Sequence, residues 1–403
     1  MADVTVYGAP WCPDCRRSKQ FLSEQRVPYE WVDIDKDPDA AAFVRQTNNG
    51  KQIIPTIVFA DGSYLAEPSN DDLARKLGLT LQAERSFYDL IIIGGGPAGL
   101  TAAIYGAREG IDCLVIEKSA LGGQAGVTER IDNYPGFPEG IRGADLADRF
   151  VEQARRYGVE LLSAVGVRSI RREGHDIVCL TDNGHEYRSH SAIIATGSHY
   201  RRLGVPGEEE LIGAGIHFCA TCDGPFYRGA KELMVIGGGN SAVEEGIFLT
   251  QFTEKVLLVD HSRELRASAL LQEKARSLPN FEIMTSMQVT EFKGHSRVRA
   301  VYAKDLKSGE VREFHPDAVF VFIGQSPNSG WLAGSLDLDA AGFIVTSDTF
   351  ETSLPGVFAA GDVRDGSTKQ LASAVGEGTT ALLMVRNYLR KLGDLGRHDI
   401  EAG

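Results

Sequence analysis

Four of the six cysteines fall in two Cys-x-x-Cys pairs, Cys12-Pro-Asp-Cys15 and Cys219-Ala-Thr-Cys222. Thiols at this spacing can close a small, strained, reducible disulfide. Cys12 stands where a strand is expected to give way to a helix, and a helix N-terminus favours a thiolate. Cys12 is therefore read as the attacking thiol, and Cys15 as the one that resolves a mixed disulfide. Pro55, after Ile54, is the candidate cis-proline facing this pair, because X-Pro bonds alone have a readily populated cis form. In the second pair Asp223 follows at once and can protonate a leaving thiolate.

Four thiolates also suit tetrahedral zinc. The pairs lie more than two hundred residues apart, however, and such sites usually draw both pairs from one ribbon. Redox chemistry is the expected reading, with no metal. Cys113 and Cys179 sit in apolar runs and read as ordinary buried thiols. His217 is close to the second pair; a structural role is expected, with tuning of the thiols as the other reading.

The elements that position these groups follow from pattern. Asp3–Tyr7 reads as a β-branched strand, followed after Cys15 by a helix to about Gln25. A strand near 29–34, a helix near 38–48 and an apolar run at 53–59 come next. Asp61-Gly62 signals a hairpin, and Ser69 an N-cap for a helix at 70–79. This β-α-β-α-β-β-α order closes a domain at 1–79, and a polar joint at 80–87 follows. The chain then repeats one device: an apolar strand, a glycine-rich turn, a helix and a second strand. The turns are Gly94-Gly-Gly96-Pro97-Ala98-Gly99 and Gly237-Gly-Gly239-Asn240-Ser241-Ala242. Glycine there permits a tight turn and a close backbone approach to a pyrophosphate, which sits at the helix N-terminus. An acid, Glu117 or Asp260, stands eighteen residues after the third small residue in both copies, placed for a ribose hydroxyl. Two such fingerprints imply two dinucleotides, most simply a flavin and a nicotinamide. Apolar runs ending in Thr196-Gly197 and Gly361-Asp362 bring further backbone to the carboxyl edge of a sheet.

The net charge of −13 argues against nucleic-acid or polybasic membrane binding, and no apolar run reaches the length of a membrane span. The amino end shows no secretory pattern, so a cytoplasmic location is expected.

Residues 88–403 resemble the low-molecular-weight thioredoxin reductases. The resemblance rests on Gly94–Gly99, Gly122-Gly123-Gln124, Asn133-Tyr-Pro-Gly136, Cys219-Ala-Thr-Cys-Asp-Gly224, Gly237–Glu245 and Ala359-Ala-Gly-Asp362. Residues 1–79 resemble the glutaredoxins, above all the mycoredoxin-like ones, through Trp11-Cys-x-x-Cys15, Ile54-Pro-Thr56 and Phe59-Ala-Asp-Gly-Ser63. The resemblance implies an α/β chain: a thioredoxin fold, then two Rossmann-like domains. An FAD domain would occupy 88–202 and 325–403, with a nicotinamide domain at 203–324 inserted in it. It implies that Gly94, Gly96, Pro97, Ala98, Gly99, Glu117, Gly123, Gln124, Asn133, Asp362 and Gln370 hold FAD. Gly237, Gly239, Asn240, Ser241, Asp260 and Arg266 would hold the nicotinamide dinucleotide. Cys219 and Cys222 would be the flavin-linked disulfide, with Asp223 as proton donor. Trp11 and Pro55 would lie on the substrate side of Cys12 and Cys15. The family is homodimeric and turns its nicotinamide domain against its FAD domain during turnover.

Two departures sharpen the expectation. NADPH-specific members carry a His-Arg-Arg cluster where this chain has Asp260-His261-Ser262, with Arg263 and Arg266 after it. Asp260 accepts from a free 2′-hydroxyl and repels a 2′-phosphate, which favours NADH. Arg263 and Arg266 are the counterweight. The carrier motif also reads Cys-Pro-Asp-Cys rather than Cys-Pro-Tyr-Cys, so Asp14 places negative charge beside the thiolate and makes the pair more reducing. The resulting expectation is an enzyme relay from NAD(P)H through FAD and Cys219/Cys222 to Cys12/Cys15, and then to a protein or small-molecule disulfide. The alternatives are an NADH-dependent peroxiredoxin reductase, and a flavin-binding redox sensor with little turnover.

Overall fold

The computed structural model describes residues 4–128, 130–295 and 297–393, with 221 and 222 described in backbone only. The amino-terminal domain is a four-stranded sheet. Val4–Gly8 lies parallel to Glu30–Asp33 and antiparallel to Thr56–Phe59, which pairs with Tyr64–Ala66. Alternation explains its core: Val4, Val6, Ile57 and Phe59 face Phe21, Leu22, Leu73 and Ala74 of two helices. Those helices are Pro13–Glu24 and Asn70–Lys76, and a third, Pro38–Thr47, packs beneath Ile34. Local chemistry sets their starts. Asp37 caps the helix that opens at Pro38, and Ser69 with Asp72 forms a reciprocal capping box. This is the expected thioredoxin fold.

The next sheet is built around Phe87–Ile93, whose residues Leu90–Ile93 are buried on both faces. Cys113–Ile116 and Glu186–Ile194 flank it in parallel, and Glu160–Leu162 and Val357–Ala359 extend the parallel set. Asp176–Thr181 and Val167–Glu173 complete it as an antiparallel edge. Helices Pro97–Arg108 and Leu371–Leu392 pack on one face through Leu100, Ile104, Leu382 and Val385.

Together with the amino-terminal domain this sheet forms one compact unit, comprising the chain up to Thr128, Arg142–Gly197 and the chain from Pro327. Ser198–Ser326 and the segment ending at Ile141 form a second. The second unit has a five-stranded parallel sheet, in the order Ile216–His217, Ala318–Val321, Ala230–Ile236, Thr253–Asp260 and Phe281–Thr285. Helices Asn240–Leu249 and Ala269–Ser277 cover one face, and a three-stranded antiparallel sheet, 287–314, the other.

The joint at 80–87 is bound along its length. Leu81 packs into the cores of both neighbouring domains, and Ala83 is buried. The Ala83 amide donates to the Tyr187 hydroxyl at 3.0 Å, and the Glu84 amide to Glu160 Oε1 at 2.6 Å. Thr80 accepts from the Ser163 amide, and Ser86 from that of Arg188. Its apolar pair, Leu81 and Ala83, makes this polar-looking segment adhere.

Candidate active site

Cys12 is the N-cap of the helix Pro13–Glu24, and its Sγ accepts from the Cys15 amide at 3.1 Å. That bond, together with the helix dipole, is what a thiolate at this position uses. The Ile54-Pro55 bond is cis, and the Cys12 thiol lies 3.8 Å from the Ile54 carbonyl oxygen. The expected Cys12, Cys15 and Pro55 cluster is therefore present. Burial, followed by the hydrogen bond with Cys12, pushes the Cys15 thiol up to about 12. Cys12 is 4% exposed and Cys15 1%. A Cβ on Gly8 would come within 2.6 Å of Cys15 Sγ, so only glycine fits behind the pair. Trp11 projects beside them, 66% exposed, with its indole N–H on Asp35.

Asp14 is engaged on the helix surface. Its carboxylate is paired with Arg17 at 2.9 Å on the helix surface, and its field reaches Cys15 as the smallest of that thiol's influences. The charge that was expected to oppose the Cys12 thiolate is largely met by a neighbour one helical turn away.

In the first fingerprint Gly94 has φ +110, and a Cβ on it would collide with the Ala195 carbonyl. A Cβ on Gly99 would meet the Gly94 carbonyl at 1.9 Å, which fixes the close contact of helix and turn. The helix Pro97–Arg108 starts at Gly96 with no side-chain cap, leaving its first amides for an anion. Ala98 packs near Gly361, so the Gly361-Asp362 strand end reaches this turn. Glu117 accepts from the Gly95 amide at 2.6 Å and from the Ser119 amide and hydroxyl. Gly123 and Gln124 lie on the 3-10 turn Gly123–Val127, and Gly123 approaches Gly96. Asp362 Oδ1 is buried without a hydrogen-bond partner among the described residues, and burial raises its pKa. Gln370 is the N-cap residue of the helix Leu371–Leu392. An orphaned acceptor beside an uncapped helix start and a glycine-only turn fits FAD: an anionic pyrophosphate at the helix, and a ligand hydroxyl for Asp362. Asn133, which the resemblance also assigns to FAD, lies in the second compact unit.

The second fingerprint repeats the geometry. Gly237 has φ +137, with the Phe322 carbonyl against it, and Gly239 starts an uncapped helix, with Ser241 exposed in its first turn. Asp260 is 2% exposed beneath Gly238 and accepts from the Ser262 amide. The Arg266 and Ala267 amides both donate to the Gly238 carbonyl, which carries Arg266 to the turn. A cleft lined by Gly237, Asp260, His261 and Met287 opens there. Asn240, exposed in the same turn, accepts from the Ser268 amide through its Oδ1 at 2.8 Å.

Cys219 is disulfide-bonded and precedes the short helix Ala220–Asp223; the Cys222 side chain lies outside the described residues. His217 is the surprise. Its Nδ1 lies 3.5 Å from Asp223 Oδ2, and its Nε2 lies 2.7 Å from the Tyr227 hydroxyl. Burial and then Asp223 push Tyr227 up to about 12, so the phenol stays protonated. His217 thus links Asp223 to a half-buried hydroxyl. Glu245, from the second fingerprint helix, accepts from the Ala220 amide and keeps Oε2 buried without a partner among the described residues; burial raises its pKa. Neither Tyr227 nor Glu245 was picked out from sequence for the cysteine site. Cys113 and Cys179 are buried with their thiols pushed up by desolvation, as expected of structural cysteines.

Comparison with known proteins agrees with this geometry. The family model described as pyridine nucleotide-disulphide oxidoreductase matches residues 88–378, and the glutaredoxin model matches 4–65. The thioredoxin reductase of Bacillus subtilis is 40% identical over 311 residues, covering 77% of this chain and 97% of that protein. The thioredoxin reductase of Mycolicibacterium smegmatis is 40% identical, over 77% of this chain and 99% of that protein. The crystal structure of the Streptococcus pyogenes thioredoxin reductase matches with a TM-score of 0.72 at 40% identity, over 76% of this chain and 99% of that one. From Asp89 onward, then, geometry and kinship agree: the chain belongs to the pyridine nucleotide-disulphide oxidoreductases, as a flavin-dependent, thioredoxin reductase-like NAD(P)H:disulfide oxidoreductase with a glutaredoxin domain at its amino-terminal end.

Proposed function

We propose that the reductase portion feeds its own glutaredoxin domain: electrons from a nicotinamide cofactor reach Cys219/Cys222, pass to Cys12/Cys15 and leave to an external disulfide. The observation that carries this reading is the Cys12 site, with a sulfur at a helix N-terminus, a buried resolving thiol and a cis-proline beside it. The chemistry FAD supplies when bound is two-electron: it takes hydride from the nicotinamide and passes the pair to a disulfide. Gly94–Gly99, Glu117, Gly123, Gln124, Asn133, Asp362 and Gln370 are its proposed holders.

The transfer between pairs is thiol–disulfide exchange. A thiolate of the Cys219/Cys222 pair bonds to Cys12, and the Cys12–Cys15 bond breaks. Cys15 leaves and takes a proton, which its raised pKa favours. The second reductase thiolate then closes the reductase disulfide and releases Cys12. Two electrons and two protons have moved, and the carrier is a dithiol. Cys12 next attacks the substrate disulfide, and Cys15 resolves the mixed species. Asp223, linked to His217, is placed to manage protons at the reductase pair. The name of the relatives, thioredoxin reductase, points to a protein disulfide as acceptor. Asp260 under the second turn favours NADH. The protein would act as a cytoplasmic homodimer.

The test is Cys12→Ser, assayed with NADH and with NADPH. Dye reduction should persist, while turnover of disulfide substrates falls by about 10³-fold or more, as expected for a lost nucleophile. Unchanged substrate turnover would refute the relay, and a burst of few turnovers in the parent protein would favour a sensor.

A further inference from the structure

The joint is not the only place where the glutaredoxin domain holds the flavin-binding domain. Its helix Pro13–Glu24 ends in a Schellman turn: the Arg26 amide donates to the Ser23 carbonyl and the Val27 amide to that of Leu22. Arg26 takes the left-handed position of that turn, at φ +54, where glycine is the usual residue. A bulky residue held in this region marks a place where surrounding contacts over-determine the backbone.

Those contacts lie across the domain boundary. The Arg26 guanidinium donates to the Gly123 carbonyl at 2.8 Å and reaches that of Ala120 at 3.5 Å. A Cβ on Gly126 would sit 1.9 Å from Arg26 Nη1, so the absence of a side chain there makes the slot. Glu117 and Asp148 are the carboxylates whose fields hold the guanidinium charged against its burial. The Ala120 amide donates to the Glu24 carbonyl, and Gln25 reaches the Lys118 carbonyl. The braced stretch, 117–126, is the one that carries Glu117, Gly123 and Gln124. Through Gly123 it abuts Gly96, and through Glu117 it holds the Gly95 amide. Cys12 caps the other end of the same helix, about 18 Å away for twelve residues, so this contact leaves the redox end of the domain clear.

We infer that Arg26 is a positioning residue for the dinucleotide site: the glutaredoxin domain, docked through its guanidinium, pre-orders the 117–126 loop that FAD needs. This inference rests on the flavoprotein reading above. Because coupling is reciprocal, bound FAD also holds the glutaredoxin domain in its docked position. The enzyme then carries its thiol domain clamped rather than swinging on a loose tether.

Arg26→Gly in the full-length chain is the discriminating variant. Glycine suits the left-handed turn, so the glutaredoxin domain keeps its fold while the brace is lost. Two readouts apply: the dissociation constant of FAD from the apoprotein by flavin fluorescence, and the rate of trypsin cleavage at Lys76 and Arg85, with and without FAD. FAD should bind about tenfold more weakly, cleavage should quicken, and protection by FAD should shrink. Gly126→Ala, whose methyl excludes the guanidinium while Arg26 stays, should shift both readouts the same way. An FAD dissociation constant within twofold of the parent in both variants overturns the inference, whatever the cleavage rates. A parent protein that takes up no flavin at all refutes the flavoprotein reading instead.

Discussion

Cys12 caps a helix of twelve residues, Pro13–Glu24, whereas Cys219 precedes one of four, Ala220–Asp223. The first pair is governed by backbone. Its sulfur takes a helix amide, its neighbour Cys15 is sealed behind Gly8, and the acid inside the motif is spent on a surface ion pair with Arg17. The second pair is governed by side chains: Asp223 is joined to His217, and His217 to Tyr227, while Glu245 holds the Ala220 amide from below. Under the relay proposed above, one spacing serves two problems. A carrier needs one reactive sulfur and one withheld sulfur. A pair that receives electrons from a cofactor needs proton traffic.

The withheld sulfur gives the largest expected effect. The Cys15 pKa is raised from 9.0 to about 12, chiefly by burial, so at neutral pH its thiolate is scarce. In the reduced protein, iodoacetamide at pH 8 should modify Cys15 at least about 10²-fold more slowly than a thiol in the denatured chain. The thiol form is the one the fold favours, so this contribution is complete below pH 9.0 and is lost as pH rises towards 12. Mass-spectrometric mapping of alkylation against pH checks both. Native and denatured rates that coincide would break the contrast between the two cysteines.

Next comes Asp223→Asn. If side-chain proton management defines the second pair, reduction of a disulfide acceptor should slow by about 10²-fold, the usual range for a general acid or base. Hydride uptake from the nicotinamide should be nearly untouched. Stopped-flow traces of the two half-reactions separate these, and an equal loss in both would show that Asp223 serves structure. Gly8→Ala probes the other side. The new methyl would press on Cys15 Sγ and on the Trp31 ring at 2.9 Å, costing the amino-terminal domain about 1–3 kcal/mol by overpacking. Denaturation of the full chain should show the loss chiefly in that domain's transition, with the nicotinamide domain unchanged.

How far the sequence foretold these sites depends on how local each feature is. The cap at Ser69, the cis-proline after Ile54 and the glycine turns at 94 and 237 are set by neighbours within a few residues, and each appears where its motif placed it. The acids Glu117 and Asp260 also lie under their turns, because a β-α-β unit of fixed length brings them there. Arg26 meets Ala120 ninety-four residues away, and Glu245 meets Ala220 from a different helix. No periodicity encodes such approaches. His217 was read as structural because proximity in sequence does not say which way a ring faces. Asn240 has a matching motif position, and its oxygen accepts from the Ser268 amide.

The smallest expected effect tests whether the acid inside the first motif matters at all. From sequence, Asp14 sits between the two cysteines and should make the pair more reducing. In the structure its carboxylate faces Arg17 at 2.9 Å, with both side chains over a third exposed, where ion pairs are screened and contribute about 0–1 kcal/mol. Arg17 also holds the Pro68 carbonyl and Asn70, so it stays in place when Asp14 is neutralised. Asp14→Asn should therefore change the alkylation rate of Cys15 by less than about threefold, upward, because one of the charges raising that thiol is gone. The same variant should leave the dithiol–disulfide equilibrium against glutathione almost unmoved. A shift of tenfold or more would mean that the Asp14 charge reaches the sulfurs past Arg17, and that the first pair, like the second, is set by a side chain rather than by the helix it caps.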